Sequence, residues 1–203
     1  LFFALPTRNL WKPDPTRSTS ALVLRVGSAA AELDRMLDGV YLDLVPVLLD
    51  AGDQYVAAAD AVLALVADLD DEQRGRLSLD LGADPFTAPL SGRPTVGTDE
   101  VIAIARRTAG QTGVRAITVD GPALHNLGAS ASWELAGAVA AGVSYLRLLT
   151  EAGLSVSDAL RHISFRFAAD DDQFMTIAKL RAARRLWARV AEVAGDGAAG
   201  AAV

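Results

Sequence analysis

Val114-Arg115-Ala116-Ile117-Thr118-Val119 runs straight into Asp120-Gly121-Pro122, and Ser130 to Ala141 then takes up helical spacing. A β-branched run closed by turn residues reads as a strand, and the amphipathic stretch after it as the helix it feeds. The same rhythm extends in both directions. Upstream, Ala21–Val26 reads as a strand before Gly27, followed by a helical segment over residues 28–38 that Gly39 stops. Val40–Val47 is expected as a second strand, with Pro46 near its end, and Gln54–Leu69 as an Ala-rich helix. Leu77–Leu81 is a third, short strand, and a helix capped by Thr98 runs to about Ala109 before Gly110. Downstream, Gly142 is expected to separate Ser130–Ala141 from a second helical stretch, Val143–Ala152. Ser155-x-x-Asp158 resembles a capping box and opens a short helix to Leu160. Ile163-Ser164-Phe165-Arg166-Phe167 alternates as a fifth strand, and Asp171–Val193 is the longest helix.

Strands alternating with helices imply a parallel sheet with crossover connections, hence an α/β fold. An open doubly wound sheet and a TIM-type (β/α)8 barrel both fit this local pattern. The chain holds about five β/α units, whereas a closed barrel needs eight and typically about 250 residues. The sheet is therefore open by design or belongs to something larger. Residues 21–194 form the expected barrel segment. Residues 1–20 read as an irregular lead-in and 195–203 as a flexible Gly/Ala tail. Leu1 in place of Met fits a processed or excised chain, and Leu1–Leu5 is too short for a secretory apolar region.

Of the 203 residues, 51% are hydrophobic and 22% charged, enough apolar material for a core. A net charge of −6 argues against a nucleic-acid partner. The absence of cysteine removes disulfides, thiolate nucleophiles and Cys-ligated metals, and two histidines cannot build a His-rich metal site. No apolar run approaches a membrane span, so no membrane partner and a cytoplasmic location are expected. Dinucleotide, P-loop and nucleophile-elbow motifs are missing.

In a parallel α/β fold, ligands bind where strands end at their carboxyl side. The segment from Asp120 to Ser130 leaves such an edge. His125 there can donate to a carbonyl, and Ser130 can cap the next helix; an ordinary loop His and a plain cap is the favoured alternative. His162 and Ser164, two apart at the fifth strand, are expected on one face, with Arg166 continuing it toward an anion. On the last helix, Phe174, Ile177, Leu180, Ala183, Trp187 and Val190 are expected to be buried, and Lys179, Arg181, Arg184, Arg185 and Arg189 to be solvated.

Ala178-Lys179-Leu180-Arg181-Ala182-Ala183-Arg184-Arg185-Leu186-Trp187-Ala188-Arg189 closely resembles a signature helix of methylmalonyl-CoA mutases. Gly142-Val143-Ser144-Tyr145-Leu146-Arg147, the fifth strand and Asp172-Gln173-Phe174-Met175 precede it in the family's order, and the match is strongest over residues 115–194. The resemblance implies an acyl-CoA-binding (β/α)8 barrel followed by a cobalamin domain. It also implies the adenosylcobalamin-dependent isomerisation of methylmalonyl-CoA to succinyl-CoA, a step of propionate metabolism. In many bacteria the family is a heterodimer of a large catalytic mutase subunit and a similar small subunit without chemistry. Where catalytic chains carry a Tyr-His pair, this sequence has Pro122 and Ala123, so no catalytic residue is expected. The family's Gln and Glu that follow become His125 and Asn126, its CoA-contacting Arg becomes His162, and Ser164 matches. These four form a candidate vestigial acyl-CoA pocket. A Gln-Asn-Asp trio aligns with Gly82-Ala83-Asp84. Losing an imidazole that hydrogen-bonds the thioester removes about 3 kcal/mol of transition-state stabilisation. The resemblance thus points to the small, non-catalytic subunit. A mutase chain with an altered acyl pocket served by His125, or an α/β module for CoA-like anions, are the rival readings. The family's Asp-x-His-x-x-Gly cobalamin motif does not occur in this sequence, so the chain alone is not expected to hold a cofactor or metal.

Overall fold

Six short strands pair in the order in which the chain makes them, and every pairing is parallel. The structure is a computed structural model, and it describes residues 3–5, 21–26, 30 and 32–196. The strands are β1 (Phe3–Leu5), β2 (Leu22–Arg25), β3 (Val47–Asp50), β4 (Leu79–Ala83), β5 (Val114–Asp120) and β6 (Ile163–Arg166). Helices α1 (Leu33–Met36), α2 (Tyr55–Ala67), α3 (Asp71–Arg76) and α4 (Thr98–Arg107) lie between β2 and β5. After β5 come α5 (Gly121–Asn126), α6 (Ala131–Glu151) and α7 (Val156–Arg161), and α8 (Gln173–Ala194) follows β6.

The monotonic order decides between the two sheets that the sequence allows. A doubly wound sheet reverses its strand order at a switch point, which puts helices on both faces. Right-handed crossovers that all advance the same way put the helices on one face and curl the sheet into an arc of a barrel. The helix-facing side is apolar: Leu49, Leu79, Leu81, Ile163 and Trp187 are buried there. Phe165 stacks edge-on to Trp187 with centroids 4.7 Å apart, so Trp187 packs the core as its spacing suggests. The Tyr55 hydroxyl donates to the Ala116 carbonyl at 3.2 Å, and desolvation pushes its pKa far above the usual phenol value. The opposite side carries Asp80, Arg115, Thr118 and Ser164, a polar interior.

Several expectations need correction. Phe3–Leu5, inside the stretch read as irregular lead-in, forms an edge strand on β2; residues 6–20 and 197–203 lie outside the described residues. Val40–Val45 is not a strand but a turn, with Leu44 and Val45 donating to the Tyr41 carbonyl. The ladder starts at Pro46, whose carbonyl accepts from Leu22 and which has no N–H of its own to give. Gly142 does not break α6. A Cβ there would stand 2.7 Å from Phe165 and 2.8 Å from Trp187, so the glycine permits helix and sheet to touch. Gly97, not Thr98, occupies the cap of α4. On α8 the buried row is Lys179, Ala183, Trp187 and Ala191, while Phe174 is 85% and Ile177 41% exposed. The helix turns Trp187, two alanines and Lys179 toward the sheet and leaves Phe174 and Ile177 outside.

Candidate functional site

Each central strand ends in a carboxylate. Asp50 closes β3, Asp84 follows β4 and Asp120 closes β5, all at the carboxyl edge where a parallel α/β fold binds its ligands. The structure spends all three on the protein itself. Arg93, from the segment between β4 and α4, donates from Nη1 to both oxygens of Asp50 at 2.9 and 2.8 Å, and from Nη2 to Asp120. Arg166 at the end of β6 donates from Nε and Nη2 to the other oxygen of Asp120 at 3.1 and 2.8 Å. Arg25 at the end of β2 lies 3.5 Å from Asp50. Arg25, Asp50, Arg93, Asp120 and Arg166 thus alternate in sign across the strand ends, with Asp120 only 4% exposed.

Asp84 anchors the loop that carries Arg93. One oxygen accepts from the Tyr145 hydroxyl at 2.6 Å and from the N–H of Thr87 at 2.9 Å. The other accepts from the Thr87 hydroxyl and from the N–H of Asp120 at 2.8 Å. Burial, then the neighbouring Asp84 charge, drives the Tyr145 hydroxyl far above its usual pKa and keeps it a donor. Beneath this lattice the strand ends leave a cavity of about 20 Å³, lined by Asp50, Gly82, Asp84, Arg93, Thr118 and Arg166. That is room for about one water, not for an acyl group. None of the three carboxylates is left without a donor to serve as a general base.

The predicted site residues separate. Ala123 sits in the buried row of α5 at 1% exposure, with Pro122 in the helix's first turn, so neither brings a reactive group to the edge. The stretch read as a loop is thus helical over Gly121–Asn126, placing His125 in its last turn and leaving Asn126 exposed. Ser130 caps α6, as its position suggests. Ser164 reaches the barrel interior, its hydroxyl 3.0 Å from that of Thr118 and donating to the Ile117 carbonyl at 3.1 Å. Burial raises the pKa of the adjacent Asp80 carboxyl despite Arg115 at 3.3 Å. His162 does not join Ser164 on that face. It caps α7 before the strand begins, so strand alternation does not govern it, and its ring is held by the backbone of Ala105 in α4. It is 2% exposed with Nδ1 unpartnered, and burial depresses its pKa to about 4. His125 follows a strand and His162 precedes one, which puts them at opposite ends of the parallel sheet. Arg166, read as facing an anion, is paired with the chain's own Asp120.

Sequence reading missed Asp50, Arg93, Asp120 and Tyr145. A carboxylate at the end of successive strands was the available signal; Arg93 lies in a segment with no periodicity to mark it. It also missed the ion pair of Lys179 with Glu134, 2.6 Å long and 1% and 0% exposed. Glu134 additionally accepts from the Ala168 N–H at 2.7 Å, tying α6, α8 and the β6–α8 loop together.

A family model described as methylmalonyl-CoA mutase matches residues 1–199. A probable methylmalonyl-CoA mutase small subunit of Mycobacterium tuberculosis is 65% identical over 187 residues, covering 91% of this chain and 30% of the relative. The methylmalonyl-CoA mutase small subunit of Streptomyces virginiae is 48% identical over 93% of this chain and 31% of its own length. A large subunit from Streptomyces virginiae matches at 46% identity over only 74 residues, 36% of this chain. The chain spans about 30% of the length of the mycobacterial relative it matches. With its model matched along nearly the whole sequence and these relatives aligned over nine-tenths of it, the chain belongs to the methylmalonyl-CoA mutase family.

Proposed function

We propose that this chain is the barrel segment, residues 21–194, of a non-catalytic small subunit, which supports a large catalytic subunit in the conversion of methylmalonyl-CoA to succinyl-CoA. The observation that carries this reading is the filled carboxyl edge. Arg93 and Arg166 clamp Asp120 where a thioester would need space, and Ala123 lies buried where the family's imidazole is expected. An enzyme that polarises a thioester needs preorganised donors aimed at an empty position. Here the donors are aimed at carboxylates. Their work is structural: they hold the segment after β4 across the strand ends and leave no room for an acyl group.

Adenosylcobalamin, which the family implies, does not fit the donors of this chain. One imidazole is buried beneath α4 and the other ends α5, and no group of His, Asp or Glu among the described residues converges as a metal site. In this reading the partner subunit holds the cofactor and carries the radical chemistry. Among the described residues no helix is long and apolar enough to cross a membrane; a cytoplasmic location belongs to the proposal. His125, Asn126 and Ser164 are the residues left for any acyl-CoA contact in this proposal, since His162 is at the other end of the sheet.

The test is co-expression with a large mutase subunit from the same source, affinity capture, and turnover assays with adenosylcobalamin on the chain alone and on the mixture. A stoichiometric complex with turnover only in the mixture is expected. Turnover by this chain alone, abolished by His125→Ala, refutes the reading in favour of a mutase with a modified pocket.

A further inference from the structure

The two oxygens of the Asp120 carboxylate take their donors from arginines in different parts of the chain. Arg166, beside it in the β5–β6 register, donates from Nε and Nη2 to Oδ1 at 3.1 and 2.8 Å. Arg93, from the segment after β4, donates from Nη2 to Oδ2. An ordinary ion pair sets one cation against one anion. Here one guanidinium serves each oxygen, and such charge-assisted, forked donation is how a protein recognises a free carboxylate. Every contact is made within this chain, and Asp120 is only 4% exposed.

The donors do not rely on Asp120 for their positions. Arg93 is fixed from behind, with Nη1 on both oxygens of Asp50 at 2.9 and 2.8 Å and Nε donating to the Ser91 hydroxyl at 3.0 Å. The segment that carries it is rooted at Asp84, and its Phe86 stacks on Tyr145 with ring centroids 4.3 Å apart. Arg166 stands on a strand whose ladder with β5 runs back to Ile163. Donors held by other contacts stay aimed when their acceptor is removed, which is what preorganisation means for a binding site. The charge points the same way. Arg25, Arg93 and Arg166 share only Asp50 and Asp120, so without the Asp120 charge two cations stand uncompensated. The adjoining cavity of about 20 Å³, enlarged by one carboxylate, has room for a one-carbon acid but not for an acyl chain.

We propose that Arg93 and Arg166 form a binding site for a small carboxylate, which the chain fills with its own Asp120 as a resident ligand that shuts the site to carboxylates from outside. A tethered carboxylate competes at a high effective concentration, so free acids at millimolar levels do not displace it. The clamp itself follows from the geometry; its role, refusing carboxylate-bearing ligands at an edge that does no chemistry, rests on the subunit reading given above.

The probe is formate, and the protein is the full small-subunit chain carrying Asp120→Ala, which removes the carboxylate and keeps the backbone N–H that donates to Asp84. Its urea-denaturation midpoint is followed against formate concentration, with chloride at matched ionic strength as the reference. Formate is expected to raise the midpoint saturably, with half the rise at about 10 mM, an affinity within reach of a ligand of this size. The wild type and Asp120→Asn, in which the site stays filled, should respond at least about ten-fold more weakly, as should Asp120→Ala/Arg166→Gln, which keeps only one of the two arginines. Asp43→Ala frees the single, 47%-exposed Arg76 and should not respond, as expected for a lone solvated arginine. If Asp120→Ala does not fold in chloride, recovery of its folded circular dichroism spectrum in formate reads the same site. A midpoint that formate moves no further in Asp120→Ala than in the wild type, or a spectrum that it does not restore, overturns the proposal and leaves the subunit reading standing. Failure of the co-expression test overturns the subunit reading and the role assigned here, while formate binding to Asp120→Ala would still establish the clamp.

Discussion

Replacing Lys179 by methionine isolates the energetics of the pair buried between α6 and α8. The ammonium lies 2.6 Å from Glu134, and neither side chain is more than 1% exposed. At an effective dielectric of about 20, a pair at this distance attracts with about 6 kcal/mol, most of which offsets the desolvation of the two ions. The pair as a whole is therefore close to neutral. Its halves are not. In Lys179→Met the Glu134 carboxylate keeps only the Ala168 N–H at 2.7 Å and has no solvent to turn to. Breaking a buried pair this way costs about 3–5 kcal/mol. The double variant Glu134→Gln/Lys179→Met removes both charges, while an amide oxygen still accepts from Ala168. It should recover most of the loss, to within about 1–2 kcal/mol of the parent. Urea denaturation followed by tryptophan fluorescence reads all three proteins, since Trp187 is buried on the same helix face as Lys179 while Trp133 is already exposed in the folded chain. A loss below about 1 kcal/mol for the single variant, or a double variant no better than the single, refutes the argument that charge burial rather than packing controls this joint.

Arg93→Ala should destabilise by about 2–4 kcal/mol, because it strips a partner from Asp50 and from the 4%-exposed Asp120 at once; Arg93→Lys, unable to reach both carboxylates with a fork, should recover less than half of that in the same denaturation assay. Gly82→Ala should prevent folding to the native state, since at φ +80° its Cβ would stand 1.8 Å from the Leu49 carbonyl oxygen; loss of the cooperative thermal transition by circular dichroism is the readout. His162 makes stability fall in acid. Its folded pKa of about 4 lies below the unfolded value of about 6.5, so the unfolded chain binds the extra proton between those values. Stability should drop by about 3 kcal/mol as the pH falls through that window, and His162→Gln should flatten this part of the pH–stability profile relative to the parent.

The alternation of strand and helix, and with it the α/β class, is carried by local chemistry: β-branched runs at Val114–Val119 and Ile163–Phe167, glycines after helices, and Ser155 and Ser130 as caps. Such signals act over a few residues and survive in any context. The resemblance that assigns the family rests on the same kind of local string, the α8 sequence around Lys179–Trp187. Strand order does not. That β1 to β6 pair in sequence order, and so form a barrel arc with helices on one face, depends on contacts between residues dozens of positions apart. Tertiary structure also decided which residues of α8 go inside. Hydrophobicity favoured Phe174 and Ile177, but Ala183, Trp187 and Ala191 go inside, Trp187 set against Gly142 and Phe165, and Glu134 drew Lys179 in with them. At the carboxyl edge, composition shows aspartates and arginines and nothing about who meets whom. Charges interact through space, not along the chain. Only the parallel register, which sets Asp120 beside Arg166 and lets Arg93 reach Asp50 and Asp120 together, turned five separated residues into the lattice that closes this barrel mouth.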